Sequence, residues 1–212
     1  FGKPRPPEDP ITVRDENIAA SLQAVLEELY AHILNHLYRN RAVEHLCLAG
    51  GVAFNSVANG KIAKRTPFKH VYVQPAAGDA GTALGAAAFA SYSAGKTARH
   101  FVMRHAFFGT ESSPAQMEQA VQTAGLSYEK LSEDELIDRT AQDLASGKIV
   151  GWFQGRMEFG PRALGSRSIL ADPAHPDMKE ILNRRIKGRE LFRPFAPSVP
   201  EEIAREYFEM DE

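Results

Sequence analysis

An α/β protein is what the sequence predicts, and three observations predict it. Segments with an apolar stripe of helical period alternate with short apolar runs of strand length. Two of those runs end in turns of small residues, Gly50-Gly51 and Ala76 to Asp79, and each turn opens another helix. After residues 95–105 the rhythm changes, and a Gly- and Arg-rich loop falls between two further apolar runs.

The elements follow in order. Residues 1–12 carry Pro4, Pro6, Pro7 and Pro10 and read as an extended linker or arm. Asp15 to about Arg39 is expected to form one long helix. Its core-facing stripe would be Ile18, Leu22, Val25, Leu26, Leu29, Ile33 and Leu37, spaced three and four residues apart. His45 to Ala49 is a short buried strand in which Cys47 reads as an inert, buried thiol. Val52 to Arg65 resumes as a helix, Val71 to Val73 is the next strand, and an Ala/Gly-rich helix spans about 80–94. The 95–105 segment marks a boundary between domains at 1–104 and 105–212. Beyond it come a short strand at Ala106 to Phe108 and helices at Pro114 to Ala124 and Glu133 to Ser146. A buried strand at Ile149 to Phe153 and a second apolar run at Ile169 to Ala171 bracket the loop. A helix at Pro176 to Arg185, a strand-like Phe195 to Val199 and a last helix from Pro200 complete the chain.

Composition narrows the function classes. With 43% apolar and 25% charged residues, the chain can build a core. A net charge of −2 argues against a general binder of nucleic acid or anionic membrane. The single Cys47 cannot form an internal disulfide and fits a reducing cytoplasm. No apolar run approaches bilayer length and no signal peptide is recognisable. The chain begins on Phe1 and ends just after a helix-like segment, and so reads as a piece of a longer protein.

Four constellations could carry chemistry. Gly155 to Ser168 (GRMEFGPRALGSRS) holds three glycines, one proline, and Arg156, Arg162 and Arg167, with Glu158 as its only acid. Arginine is a planar fork that pairs bidentately with phosphate or carboxylate, so the loop reads as an oxyanion cradle. The alternative is a solvated connector, against which Phe159 and Leu164 speak. Leu48 to Asn55 (LAGGVAFN) is a strand–Gly–Gly–helix turn that could turn backbone N–H groups and a helix dipole toward a nucleotide, or serve packing alone. In Gln74 to Gly81 (QPAAGDAG), Asp79 at a strand–helix junction reads on local grounds as an N-cap, and otherwise as a metal ligand. Arg184, Arg185, Lys187, Arg189 and Arg193 fall within ten residues, either as a solvated basic face or as part of an ordered, positive pocket around Phe192 and Phe195. His32 and His36 share a helix face but lack a third metal ligand nearby and read as ordinary helix histidines.

Together with Lys187 to Val199 (KGRELFRPFAPSV), these motifs resemble the NodU/CmcH family of O-carbamoyltransferases from about residue 13 onward. The resemblance implies an α/β fold in two parts. The first would be the C-terminal lobe of an actin/sugar-kinase-like (ribonuclease-H-type) domain. The second would be an incomplete YrdC-like α/β domain. It implies that carbamoyl phosphate and ATP give carbamoyl adenylate and pyrophosphate in the YrdC-like part. The kinase-like part would pass the carbamoyl group to a hydroxyl of a small molecule such as a sugar or antibiotic. Carried over residue by residue, Gly50, Gly51, Asn55 and Gly78 would bind the nucleotide and Asp79 a divalent metal of iron or magnesium type. Arg156, Arg162, Arg167, Lys187 and Arg193 would bind carbamoyl phosphate and the ATP phosphates, with Arg162 and Arg167 as the catalytic pair. Their work would be charge neutralisation and alignment. The family's histidine metal ligands belong to a half of the kinase-like domain outside this sequence, so the isolated chain is expected to be inactive. From the net charge no nucleic-acid or membrane partner is expected, and a homo-oligomer is left open. Two rivals stand beside it: threonylcarbamoyl transfer to tRNA, and a non-catalytic nucleotide-binding module of the same fold. The intact arginines speak against the second rival.

Overall fold

The computed structural model describes residues 1–209 apart from Pro7, Lys96, Thr97 and Arg99. Pro7 of the expected arm and those three residues of the expected boundary lie outside the described residues, as do 210–212. The chain is mixed α/β and separates into two compact units, Phe1–His100 and Phe101–Glu212.

The first unit is built on helix α1 (Val13–Asn40). Thr12 caps it, its N–H and Oγ1 both donating to Asp15 Oδ2 at 2.9 and 2.6 Å. Strands β1 (His45–Leu48) and β2 (His70–Val73) pair in parallel, Leu46 beside Val71 and Leu48 beside Val73. The core is Leu34 from α1, Leu46 from β1, Ile62 and Phe68, with Tyr30, Tyr38 and Leu48 packed against it. The Tyr38 and Phe68 rings meet edge to face with centroids 5.5 Å apart.

Here the expected stripe of α1 is corrected. Leu22, Val25, Leu29, Ile33 and Leu37 face outward, Leu22 at 68% exposure, while Tyr30, Leu34 and Tyr38 at four-residue spacing make the inner face. Glu27 shares that inner face because Lys61 Nζ pairs with it at 2.6 Å and Arg65 lies at 3.7 Å. That polar network fixes the rotation of the helix, and a stripe counted on apolar residues alone passes over it.

Three further expectations are corrected. Cys47 is exposed, since it lies on the uncovered face of the two-stranded sheet. The helix expected over 52–65 is three short pieces: a 3₁₀ turn (Gly51–Phe54), α2 (Ser56–Asn59) and α3 (Ile62–Arg65). Asn55 breaks it by capping α2, its side chain accepting from the Ala58 N–H at 3.0 Å. Helix α4 (Gly81–Phe89) then forms as expected, running on into a π-helical turn at Ala90–Ala94.

The second unit opens with α5 (Pro114–Thr123) and α6 (Glu133–Ala145), each begun by a serine and a Gln or Glu three residues on. Strands β3 (Val150–Phe153) and β4 (Arg167–Leu170) form an antiparallel hairpin, Trp152 opposite Ser168. The expectation of a buried β3 is corrected: Val150 and Trp152 are half-buried while Gly151 and Phe153 face out, the alternation of a strand covered on one side. The strand expected at Ala106 to Phe108 is replaced by irregular pairing. Phe159 N–H donates to Ala106 O, Gly109 N–H to Met157 O and Met157 N–H to Thr110 O. Helix α7 (Met178–Ile181) passes into a π-helical turn at Leu182–Lys187, and α8 (Ala204–Tyr207) closes the unit. Phe195 to Val199 forms no strand.

Candidate anion-binding site

The loop between β3 and β4 is organised by its one acid. Glu158 has a fully buried side chain. Its Oε1 accepts from the backbone N–H of Leu164 at 2.6 Å and of Ser166 at 2.9 Å, and its Oε2 from Arg167 Nε at 2.8 Å. Burial alone pushes this carboxyl up. The bonds from Arg167 and from the N–H groups of Leu164, Glu158 itself and Ser166 outweigh it and hold the group at about 2. Arg167 Nη2 donates to Gly160 O at 3.1 Å and toward Arg162 O at 3.5 Å, so one guanidinium ties both ends of the loop. The tight path needs Gly160 and Gly165, which adopt φ of 139° and 112°. Gly165 N–H donates to Ser168 Oγ at 3.0 Å. The N–H groups of 164, 165 and 166 are therefore spent within the loop. An anion here would be met by side chains, not by a nest of backbone donors.

Arg156 stands at the loop's entrance, its Nη2 3.1 Å from Glu111 Oε2 in an exposed pair. Arg162 sits at the far bend, within the stretch that Glu158 and Arg167 encircle. The basic turn at 183–195 is built in the same way around Asn183, which is completely buried. Asn183 Nδ2 donates to Leu191 O at 3.2 Å and Arg193 O at 2.8 Å, and its Oδ1 accepts from Arg189 Nε at 2.7 Å. Arg189 also lies over the Phe195 ring, 4.8 Å from its centroid. Gly188 makes the left-handed turn that follows exposed Lys187, and Arg193 pairs with Glu190 at 2.8 Å. The buried anchor of each basic segment, Glu158 or Asn183, bonds within that segment, while Arg156, Met157 and Phe159 of the first also reach residues 106–111.

The structure thus places Arg156, Arg162 and Arg167 in one loop, with Lys187 and Arg193 in a second turn of the same unit. Gly50, Gly51, Asn55, Gly78 and Asp79 are in the first unit. There the two small-residue turns meet at the carboxyl ends of the parallel strands, Gly50 N–H donating to Ala77 O at 2.7 Å. Open α/β sheets bind ligands at that edge. A Cβ on Gly78 would come within 3.0 Å of the Phe54 ring. Asn55 spends its side-chain amide inside the fold, donating to Gln23 Oε1 at 2.8 Å besides capping α2. Asp79 is exposed, and the cap position of α4 is Ala80, without a side-chain cap bond. No cluster of three or more His, Cys, Asp or Glu side chains that could hold a metal ion is gathered among the described residues. Asp79 would contribute one ligand, and the residues around it do not by themselves fit a metal. Sequence reasoning missed Glu158 and Asn183 as anchors. The signal for Glu158 was its isolation, one acid among three arginines in an apolar-flanked loop.

Fold and loops together define an α/β protein that carries two basic, internally braced loops suited to oxyanions. Residues 141–212 match the family model for the carbamoyltransferase C-terminus, and residues 2–88 match that for the carbamoyltransferase N-terminus. The chain belongs to the carbamoyltransferase family. It is 44% identical over 202 residues to the nodulation protein NolNO of Sinorhizobium fredii, covering 95% of this chain and 30% of that protein. It is 42% identical to the nodulation protein NolO of Bradyrhizobium diazoefficiens, covering 95% and 37%. An uncharacterized Synechocystis protein is 45% identical over 100% of this chain and 36% of its own length. The chain thus spans about a third of the length of the curated relatives it matches.

Proposed function

We propose that this chain forms part of an O-carbamoyltransferase whose second unit binds carbamoyl phosphate and the phosphates of ATP. The observation that carries the reading is the braced arginine loop inside the region that matches the carbamoyltransferase C-terminus. Arg156 and Arg162, with Lys187 and Arg193, supply charge to a multiply anionic ligand, where an isolated exposed arginine would gain little. Atom balance requires one water. Water cleaves carbamoyl phosphate to carbamate and phosphate. A carbamate oxygen then attacks the α-phosphorus of ATP and expels pyrophosphate. The acceptor hydroxyl attacks the carbamoyl carbon of the resulting carbamoyl adenylate, releasing AMP and a proton. The residues named here hold and neutralise phosphate oxygens in these steps, and the acceptor hydroxyl is the nucleophile.

In this reading the first unit is the C-terminal lobe of a kinase-like domain, with its nucleotide at the Gly50 and Gly78 turns. The second is the beginning of a YrdC-like domain. ATP is a co-substrate, and any divalent metal at Asp79 draws its other ligands from elsewhere. The acceptor is a small molecule bearing a hydroxyl. Among the described residues no helix is long and apolar enough to cross a membrane. The single cysteine fits a reducing compartment, and on that ground we assign the protein to the cytoplasm. The test is carbamoyl-phosphate-dependent release of pyrophosphate from ATP by the full-length protein, wild type against Arg162→Ala. Release by the wild type that falls by ~100-fold or more in the variant is the expected result. Equal release by both proteins moves the site elsewhere, and no release by the wild type refutes the adenylate route.

A further inference from the structure

We propose that Glu158 and Arg167 are the positioning residues of the anion site, a brace that presents Arg162 to the phosphate, and that Arg167 is not itself a phosphate ligand. The inference rests on the carbamoyl phosphate reading and assigns unequal roles to arginines that the motif treats alike.

Three observations carry it. Glu158 is buried, and three donors from the far side of the loop converge on it: the N–H groups of Leu164 and Ser166 and the Arg167 guanidinium. Arg167 lies in β4 and turns its Nε to Glu158 and its Nη2 to the carbonyls of Gly160 and Arg162. Its Nε and Nη2 are thus engaged within the loop, although the side chain remains 36% exposed. Arg162 is an exposed side chain in the segment these bonds enclose, and its own carbonyl is one of the acceptors. A side chain at the bend of a Gly-Pro turn is held in register only if its backbone is, and here the backbone is held from both flanks. The scaffold beneath is equally close. Gly109 lies against the loop, where a Cβ would come within 2.9 Å of Met157 O, and its N–H donates to that oxygen at 2.8 Å.

The chemistry separates the two kinds of role. A phosphate ligand acts through its charge and is lost when the charge is removed. A brace acts through hydrogen bonds inside the loop, and losing either partner loosens the same structure. Glu158→Gln replaces one acceptor oxygen with an NH₂ that faces a donor, so it breaks the brace at nearly constant size.

The experiment measures two things on the full chain: amide hydrogen exchange at Leu164 and Ser166, and calorimetric affinity for carbamoyl phosphate. Wild type is compared with Glu158→Gln, Arg167→Gln, the double variant and Arg162→Gln. Arg162→Gln is expected to weaken binding ~100-fold while leaving exchange at both amides unchanged. Glu158→Gln and Arg167→Gln are each expected to speed exchange ~10-fold or more and to weaken binding ~10-fold, the size of a misplacement effect. The double variant should be no worse than the worse single one, because the two side chains act as a unit. Arg167→Gln abolishing affinity with exchange at the wild-type level would overturn the proposal and make Arg167 a ligand. Glu158→Gln changing neither quantity would overturn it as well. Should Glu158→Gln fail to fold, Glu158→Asp keeps the charge one methylene short and is expected to show both effects in reduced form. A wild type that does not bind carbamoyl phosphate refutes the functional reading, while the exchange data still decide the brace.

Discussion

The two basic segments of the second unit solve one problem with different anchors. The loop between β3 and β4 is gathered by an ionised carboxylate, Glu158, and the turn at 183–195 by a neutral amide, Asn183. Each anchor is buried, each makes three bonds to a surrounding backbone and an arginine, and each leaves other cations at the surface. The difference lies in what the anchor does for charge. Glu158 neutralises Arg167 within the fold and makes it structural. Asn183 accepts from Arg189 without neutralising it, and the one carboxylate of that turn, Glu190, pairs with Arg193 at the surface.

The largest effect should come from Glu158→Ala. It strands the donors of Leu164, Ser166 and Arg167 together, and we expect a loss of ~3 kcal/mol in urea unfolding of the second unit. Asn183→Ala strands two carbonyls and one guanidinium N–H, and carbonyls tolerate the loss better. Its expected cost is ~2 kcal/mol by the same measurement. If the neutral anchor proved the costlier, the contrast between the two loops would collapse.

Acid sharpens the comparison further. The Glu158 carboxyl is held at about 2 in the folded chain against an ordinary 4.5, so its contribution is fully present above pH 4.5. It is lost progressively as pH falls from there toward 2. Asn183 does not titrate. Unfolding followed down that pH range should therefore show the destabilisation by Glu158→Gln shrinking with acid while that by Asn183→Ala stays constant. The smallest effect is expected from Arg156→Ala. Its pair with Glu111 is exposed on both sides, and the stability change should be below ~1 kcal/mol. A pronounced loss of carbamoyl phosphate affinity in that same variant would mark Arg156 as a ligand that structure alone does not need.

Local signals were well read in the sequence. Helices α1, α5 and α6 were expected from about Asp15, Pro114 and Glu133 and begin at Val13, Pro114 and Glu133, each preceded by a Thr or Ser cap with an acid or amide three residues on. The strands β1 and β2 and the turns at Gly50 and Gly78 were legible from short apolar runs ending in small residues, and the structure adds their parallel pairing. What failed was anything that depended on a partner far along the chain. The inner face of α1 was misassigned because Lys61 and Arg65 draw Glu27 inward, a pairing across more than thirty residues that no helical period encodes. The exposure of Cys47 depends on which face of the sheet a helix covers. Asn55 was read for a ligand, and its amide is held by Gln23 across the unit.

The sequence by itself determined the α/β alternation, the positions of the glycines and the concentration of arginines at 156–193, since these follow from residue type and spacing. Only the tertiary structure decided which arginine serves the fold and which is presented outward. That choice was made by burying Glu158. A carboxylate removed from water must collect donors to remain ionised, and the donors within reach were Arg167 and two loop amides.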